Sequence, residues 1–201
     1  MTSSSFRVAL IDRLIPAIWS QPGSRLATVL TTIAKIAVGV LLLALLAQLR
    51  LQLGPVPFTG QTLGVLLLGA AYGAPLGAVT TSSYVLLGAI GLPLFAGGQS
   101  GFAYALGPTG GYLVGFVFAA ALLGYLAGRG WDRSLTTCAL AMLLANVVIY
   151  LPGLAWLQQA LGLSWSATIA AGLTPFVAGD LVKLAIAAAV LPAAWRLLGK
   201  K

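Results

Sequence analysis

An all-α integral membrane protein, a compact bundle of about six transmembrane helices, is predicted by three features of this chain. Of its 201 residues 60% are hydrophobic and 7% are charged, with mean hydropathy +1.02, too little polar surface to clothe a soluble globule of this size. From residue 27 to the end, apolar stretches of helical length alternate with short connections rich in Gly and Pro. At about 20 apolar residues per crossing of a hydrocarbon core about 30 Å thick, that length holds six crossings. The cations are one-sided: alternating the loops places Arg7, Arg13, Arg25, Arg129, Arg133, Arg196, Lys200 and Lys201 on one face and Arg50 on the other. Because Lys and Arg accumulate in cytoplasmic loops, both termini are expected in the cytoplasm, and the net charge of +8 is read as topology and not as affinity for nucleic acid.

The elements follow in order. Residues 1–26, with charges and Pro16 interrupting their apolar part, make a poor signal peptide and are expected to be a retained cytoplasmic extension, with amphipathic character; residues 27–201 form the membrane domain. A first helix is expected from Ala27 to Leu49. Pro55 and Pro57 hold their predecessors out of the helical region, so an extended loop follows Arg50. The second helix, Gln61 to Tyr72, covers only about 18 Å and must start or end in a protein-lined recess. Tyr72-Gly73-Ala74-Pro75 turns tightly into a third helix, Pro75 to Ile90. An uncharged loop, GLPLFAGGQSGFAYALG, leads to a fourth helix from Pro108 to Gly128, proline suiting a first turn. The fifth runs from Leu135 to Leu161 with a kink expected at Pro152-Gly153. After a connection with a short interfacial helix at Trp165, Thr174 as N-cap and Pro175 as first residue open the sixth, which ends near Leu198. The halves show no internal repeat, which argues against an inverted-repeat transporter.

Small residues supply the packing seams. Gly107, Gly111 and Gly115 recur on the fourth helix, Gly69, Gly73 and Gly77 across the turn between the second and third, and Ala185, Ala189 and Ala193 on the sixth. Ala27, Ala34, Ala37 and Ala44 make a heptad-like seam on the first. Such seams admit close helix approach. Packing within the bundle accounts for most of them; contact with a partner's membrane helices is the alternative, strongest for the first helix. Cys138, the single cysteine, lies within an apolar helix as a small buried hydrophobe.

The chain lacks His, Glu, a cysteine pair and a GxxxxGK[ST] loop, so metal-assisted hydrolysis, a serine–histidine relay and self-contained ATP-driven pumping lose their usual parts. GPTGGY imitates a phosphate cradle without the Lys or a preceding strand. Against this background stand Asp180 and Lys183, whose i, i+3 spacing places both on one face of the sixth helix. An ionisable group costs several kcal/mol at the bilayer centre and so turns inward, toward a pathway or a ligand. Counted from Pro175, Asp180 lies about 7–8 Å below the outer helix end. Two readings stay open: a salt bridge that fixes helix register, or a carboxylate and ammonium serving the N–H and carbonyl groups of a small polar solute. Thr59, Gln61 and Thr62 before the second helix, Gln99, Ser100 and Tyr104 in the long loop, and Asn146 with Tyr150 on the fifth helix are candidates for the same level.

Four segments, VPFTGQTLGVLLLGAAYG, YVLLGAIGLPLFAGG, GPTGGYLVGF and PFVAGDLVK, resemble in order the signature segments of the biotin-specific substrate-binding (S) component of energy-coupling-factor (ECF) transporters, the BioY family. The likeness covers about residues 33 to 198. It implies a six-helix vitamin-binding fold in the cell membrane of a prokaryote, with the ligand near the outer face under the loops joining helices 1–2 and 3–4. Asp180 and Lys183 match the family's Asp-x-x-Lys pair, where the Asp would accept the ureido N–H groups of biotin. Family members often carry an Asn or an Arg between helices 3 and 4; AGGQSGFAYALGPTGGY has neither, which leaves Lys183, Gln99 or backbone N–H groups for the valerate carboxylate. The resemblance further implies a transmembrane coupling protein (T component) and two cytoplasmic ATPases as partners, no covalently bound cofactor, and no enzymatic activity in this chain. A stand-alone carrier, an S component for another vitamin and a purely structural membrane subunit are the alternatives.

Overall fold

Four helices in the computed structural model, which describes residues 9–14 and 25–198, are long and apolar enough to cross a membrane: α2 (Arg25–Gln48), α6 (Gly110–Gly128), α7 (Leu135–Leu161) and α9 (Val177–Leu198). The expected second and third helices are shorter, α3 (Gln61–Tyr72) at 12 residues and α4 (Ala74–Ala89) at 16, so four of the six expected crossings have helices of full length and two do not. α1 (Leu10–Leu14), α5 (Phe102–Ala105) and α8 (Trp165–Gly172) are peripheral turns of helix.

α6 occupies the centre of the bundle. Its side chains pack against α7, α4 and α3, and glycine sets how close these helices come. A Cβ on Gly115 would lie 2.7–2.8 Å from backbone atoms of Ile149 on α7, and one on Gly69 of α3 would lie 2.8 Å from the Cα of Ala120 on α6. Gly73, at φ 78°, is the single residue between α3 and α4 and adopts a conformation that a side chain would strain. α7 continues as helix through Pro152, and Ser134 and the left-handed Gly162 close its ends.

The sequence predicts an all-helical chain; a small antiparallel ribbon joins α2 to α3 instead. Its strands, β1 (Arg50–Gln52) and β2 (Pro57–Thr59), pair Arg50 with Thr59 and Leu51 with Phe58. The prolines that keep this segment from coiling leave its strands extended enough to pair. A second correction concerns α9, which begins at Val177, not at Thr174-Pro175. The Thr174 hydroxyl donates to the carbonyl of Ile169 and closes α8, so Asp180 stands in the first turn of α9, about 4.5 Å from its start, and not 7–8 Å down it.

α2 is the most exposed of the long helices. Gly39, Val40, Leu43 and Ala47 face the bundle, whereas Leu26, Leu30, Ile33, Leu41 and Leu45 are exposed. Within the expected alanine seam, Ala34 and Ala37 are exposed, Ala27 is half-buried, and Ala44 packs against the core. Most of the expected N-terminal extension lies outside the described residues. Where it is described, Leu10 is buried, α1 rests on α3 and α9, and Asp12 bridges Lys35 at 2.8 Å.

Candidate functional site

β2, the start of α3, and the first turn of α9 converge on a small cavity of about 50 Å³. One wall is polar. Asp180 and Lys183 are 6% and 9% exposed, and their bonds form a closed network. The Lys183 ammonium donates to Asp180 Oδ1 at 2.8 Å, to the Thr59 carbonyl at 2.7 Å and to Thr62 Oγ1 at 2.9 Å. Thr62 donates in turn to Asp180 Oδ1 at 3.2 Å, and the Tyr150 hydroxyl to Asp180 Oδ2 at 2.5 Å. All three protons of the ammonium are engaged, and its charge also lies 3.7 Å above the Phe58 ring. The carboxylate retains acceptor capacity: of its roughly four lone-pair sites, three are taken by these donors. The N-terminal turn of α9 favours a negative charge there.

The rest of the wall is aromatic and aliphatic. Phe58 and Phe176 stack with centroids 6.0 Å apart, Tyr112 meets Tyr150 edge-on at 6.0 Å, and Val56, Leu113, Phe116 and Ile149 add apolar surface. Tyr112 is anchored by its hydroxyl to the carbonyl of Gly172, tying α6 to the end of α8. Gln61 lines the cavity but spends its amide internally: it donates to the Tyr84 hydroxyl at 2.7 Å and accepts from Thr59 at 2.9 Å, and Tyr84 bonds the carbonyl of Leu94. That chain of bonds fixes the β2–α3 corner to the loop beyond α4. The cavity is thus an apolar slot with a carboxylate at one wall, suited to a flat, largely apolar molecule that presents N–H donors.

Of the residues expected at one level, Asp180, Lys183, Tyr150, Thr59, Gln61, Thr62 and Tyr104 meet around this cavity. Gln99 lines an adjoining cavity instead, and Ser100 lines neither. Asn146 turns into a crevice between α7 and α9 and bonds the carbonyl of Met142 on its own helix. Sequence reasoning missed Val56, Phe58, Thr109, Tyr112, Phe116 and Phe176. Their signal was weak, because they are ordinary apolar or turn residues until the ribbon and the 173–176 turn fold them over the slot.

The fold and the segments that build this site recur elsewhere. A model of the BioY family matches residues 20–200. The probable biotin transporter BioY of Pyrococcus horikoshii is 39% identical over 155 residues, which cover 77% of this chain and 90% of that protein. The biotin transporter BioY of Rhizobium etli is 37% identical over 153 residues, covering 73% and 81% respectively. A solved structure of the S-component for biotin from an ECF-type ABC transporter superposes with TM-score 0.76 at 23% identity, over 87% of this chain and 95% of that one, a likeness of fold. Coverage of this extent, spanning α2 to α9 and every wall of the cavity, makes this multi-pass membrane protein a member of the BioY family.

Proposed function

We propose that this chain captures biotin as the substrate-binding subunit of an ECF-type transporter, and that the slot beneath the β1–β2 ribbon is the biotin site. The observation that carries the reading is the Asp180 carboxylate, held at the wall of an apolar slot by Lys183, Thr62 and Tyr150 with an acceptor position to spare. The ureido ring of biotin is a flat N–H donor of the kind this wall accepts, and the thioether ring and valerate chain suit Phe58, Phe176 and Tyr112. Lys183, with its protons engaged, acts here as a positioning residue that fixes Asp180 and the ribbon. Relatives named as biotin transporters support the choice of vitamin.

In this reading the four long helices and the α3–α4 pair make six crossings, both termini face the cytoplasm, and residues 1–26 form a cytoplasmic extension to the 27–201 membrane domain. Without a nucleotide loop in the sequence, uphill uptake draws on a transmembrane coupling protein and two cytoplasmic ATPases. The exposed Ala34 and Ala37, with the half-buried Ala27, offer those partners a close approach on α2. Tryptophan-quenching titrations with biotin, biotin methyl ester, thiamine and riboflavin test the reading: saturable quenching by biotin alone or with its ester supports it, and a response to thiamine or riboflavin in place of biotin overturns it.

A further inference from the structure

Beside the slot, and sharing Pro57, Tyr104 and Thr109 with it, lies a second cavity of about 320 Å³ in which the side chain of Arg50 is exposed. The geometry points to Arg50 as the group that holds the carboxylate end of the ligand. This rests on the reading that biotin occupies the slot with its ureido ring at Asp180.

Three observations converge. The first is charge. The ion pairs among the described residues join Asp12 to Lys35 and Asp180 to Lys183, so neither includes Arg50. Lys183 has no proton left to offer a carboxylate. The second is placement. Arg50 stands directly opposite Thr59 in the ribbon, and the Thr59 carbonyl is bonded to Lys183. One two-stranded element therefore carries a cation toward the outer cavity and grips the polar wall of the inner one. Its guanidinium lies on the bare backbone of Gly97, at φ 70°, where any Cβ would occupy the space the guanidinium fills. The turn that presents Gly97 is itself pinned, since Gln48 donates to the carbonyl of Phe95 at 3.3 Å. The third is an under-bonded polar atom on the shared wall. Thr109 Oγ1 is buried with no hydrogen bond of full geometry, whereas buried polar groups ordinarily have one.

A guanidinium is suited to this work, because its planar fork of donors meets a carboxylate two bonds at a time where an ammonium acts as a point charge. The ligand would then lie with its ring system in the inner slot and its acidic tail passing Tyr104 and Thr109 into the outer cavity. The inference also accounts for a chain that lacks Asn and Arg between α4 and α6: the cation reaches that loop from β1.

The test is a comparison of two ligands in three proteins. Biotin and its methyl ester are titrated against the wild type, Arg50→Gln and Arg50→Lys in detergent, and the ratio of the two affinities is taken within each protein, which cancels differences in the folded fraction. The expected result is a wild type that prefers biotin over the ester about tenfold or more, as a charged hydrogen bond implies. Arg50→Gln should bring the ratio to near one by weakening biotin alone, and Arg50→Lys should restore part of it. A ratio unchanged by Arg50→Gln, or a loss shared equally by both ligands, overturns the assignment of Arg50 while leaving the biotin site intact. A folded wild type that binds neither ligand overturns the biotin reading itself.

Discussion

The ammonium of Lys183 and the backbone carbonyl of Thr59, 124 residues apart in the chain, are joined at 2.7 Å, so that the helix carrying the acid also holds the ribbon that roofs the cavity. Lys183→Met should consequently do two things at once. Biotin affinity should fall by about tenfold or more, because Asp180 loses the partner that aims it. Amide hydrogens of residues 50–59 should also exchange faster than in the wild type, a change that hydrogen-exchange mass spectrometry reads directly. Weakened binding with an unaltered ribbon would mean that Lys183 aims Asp180 without holding β2.

Asp180→Asn should cost one to two decades of biotin affinity, the worth of a charged hydrogen bond at about 1.5–3 kcal/mol. It also strands a buried ammonium, and breaking a buried pair costs about 3–5 kcal/mol of stability. The double variant Asp180→Asn, Lys183→Met should therefore recover melting temperature relative to Asp180→Asn without recovering binding. Recovery of both would reduce the pair to structural glue.

Gly69→Ala places a Cβ 2.8 Å from the Cα of Ala120, which is backbone that cannot swing aside. A loss of about 1–3 kcal/mol is expected from overpacking of this kind, seen as a lower melting temperature of the purified protein. An unchanged melting temperature would show that α3 and α6 can separate freely.

For the partner surface, Ala34→Trp with Ala37→Trp is the informative pair, since both positions are exposed, whereas Ala44 packs against the core and a Trp there would strain the bundle. Biotin affinity in detergent should stay within about twofold, while co-purification of the coupling protein and ATPases should drop. Retained assembly would move the contact to another face, with the exposed Ala185 and Ala189 of α9 next.

A reporter active only in the cytoplasm, fused after Lys201, should give signal, as the sidedness of Lys and Arg requires. Signal from a reporter active only outside would invert the cavity's orientation.

The helices were legible where punctuation was local. α3 and α7 match their sequence-predicted limits at both ends because Gly60, Gly73, Ser134 and Gly162 act on their immediate neighbours. Asp180 and Lys183 were legible because an ion pair in so apolar a chain has few places to go. What long-range folding decides was not. Asn146 and Tyr150, expected at one level, take different partners: the short amide donates to the carbonyl of Met142, and the longer Tyr150 reaches Asp180. Thr174 was read as a cap for the helix after it and instead closes the helix before it. Arg50 carried only topological meaning until the ribbon paired it with Thr59 and laid it over Gly97.

The one-residue junction at Gly73 bears on how the protein is made. Helices of 12 and 16 residues are each too short to leave the translocon as stable independent spans, and a link of one residue gives neither the slack to be threaded without the other. In the six-crossing reading α3 and α4 enter the bilayer together, as a helical hairpin. That hairpin is synthesised before α6, the helix whose Ala120 later receives Gly69, so the nascent chain has to shelter an incompletely packed pair until about thirty more residues have emerged. Biogenesis, more than the final bundle, is where substitutions at this junction should do their damage.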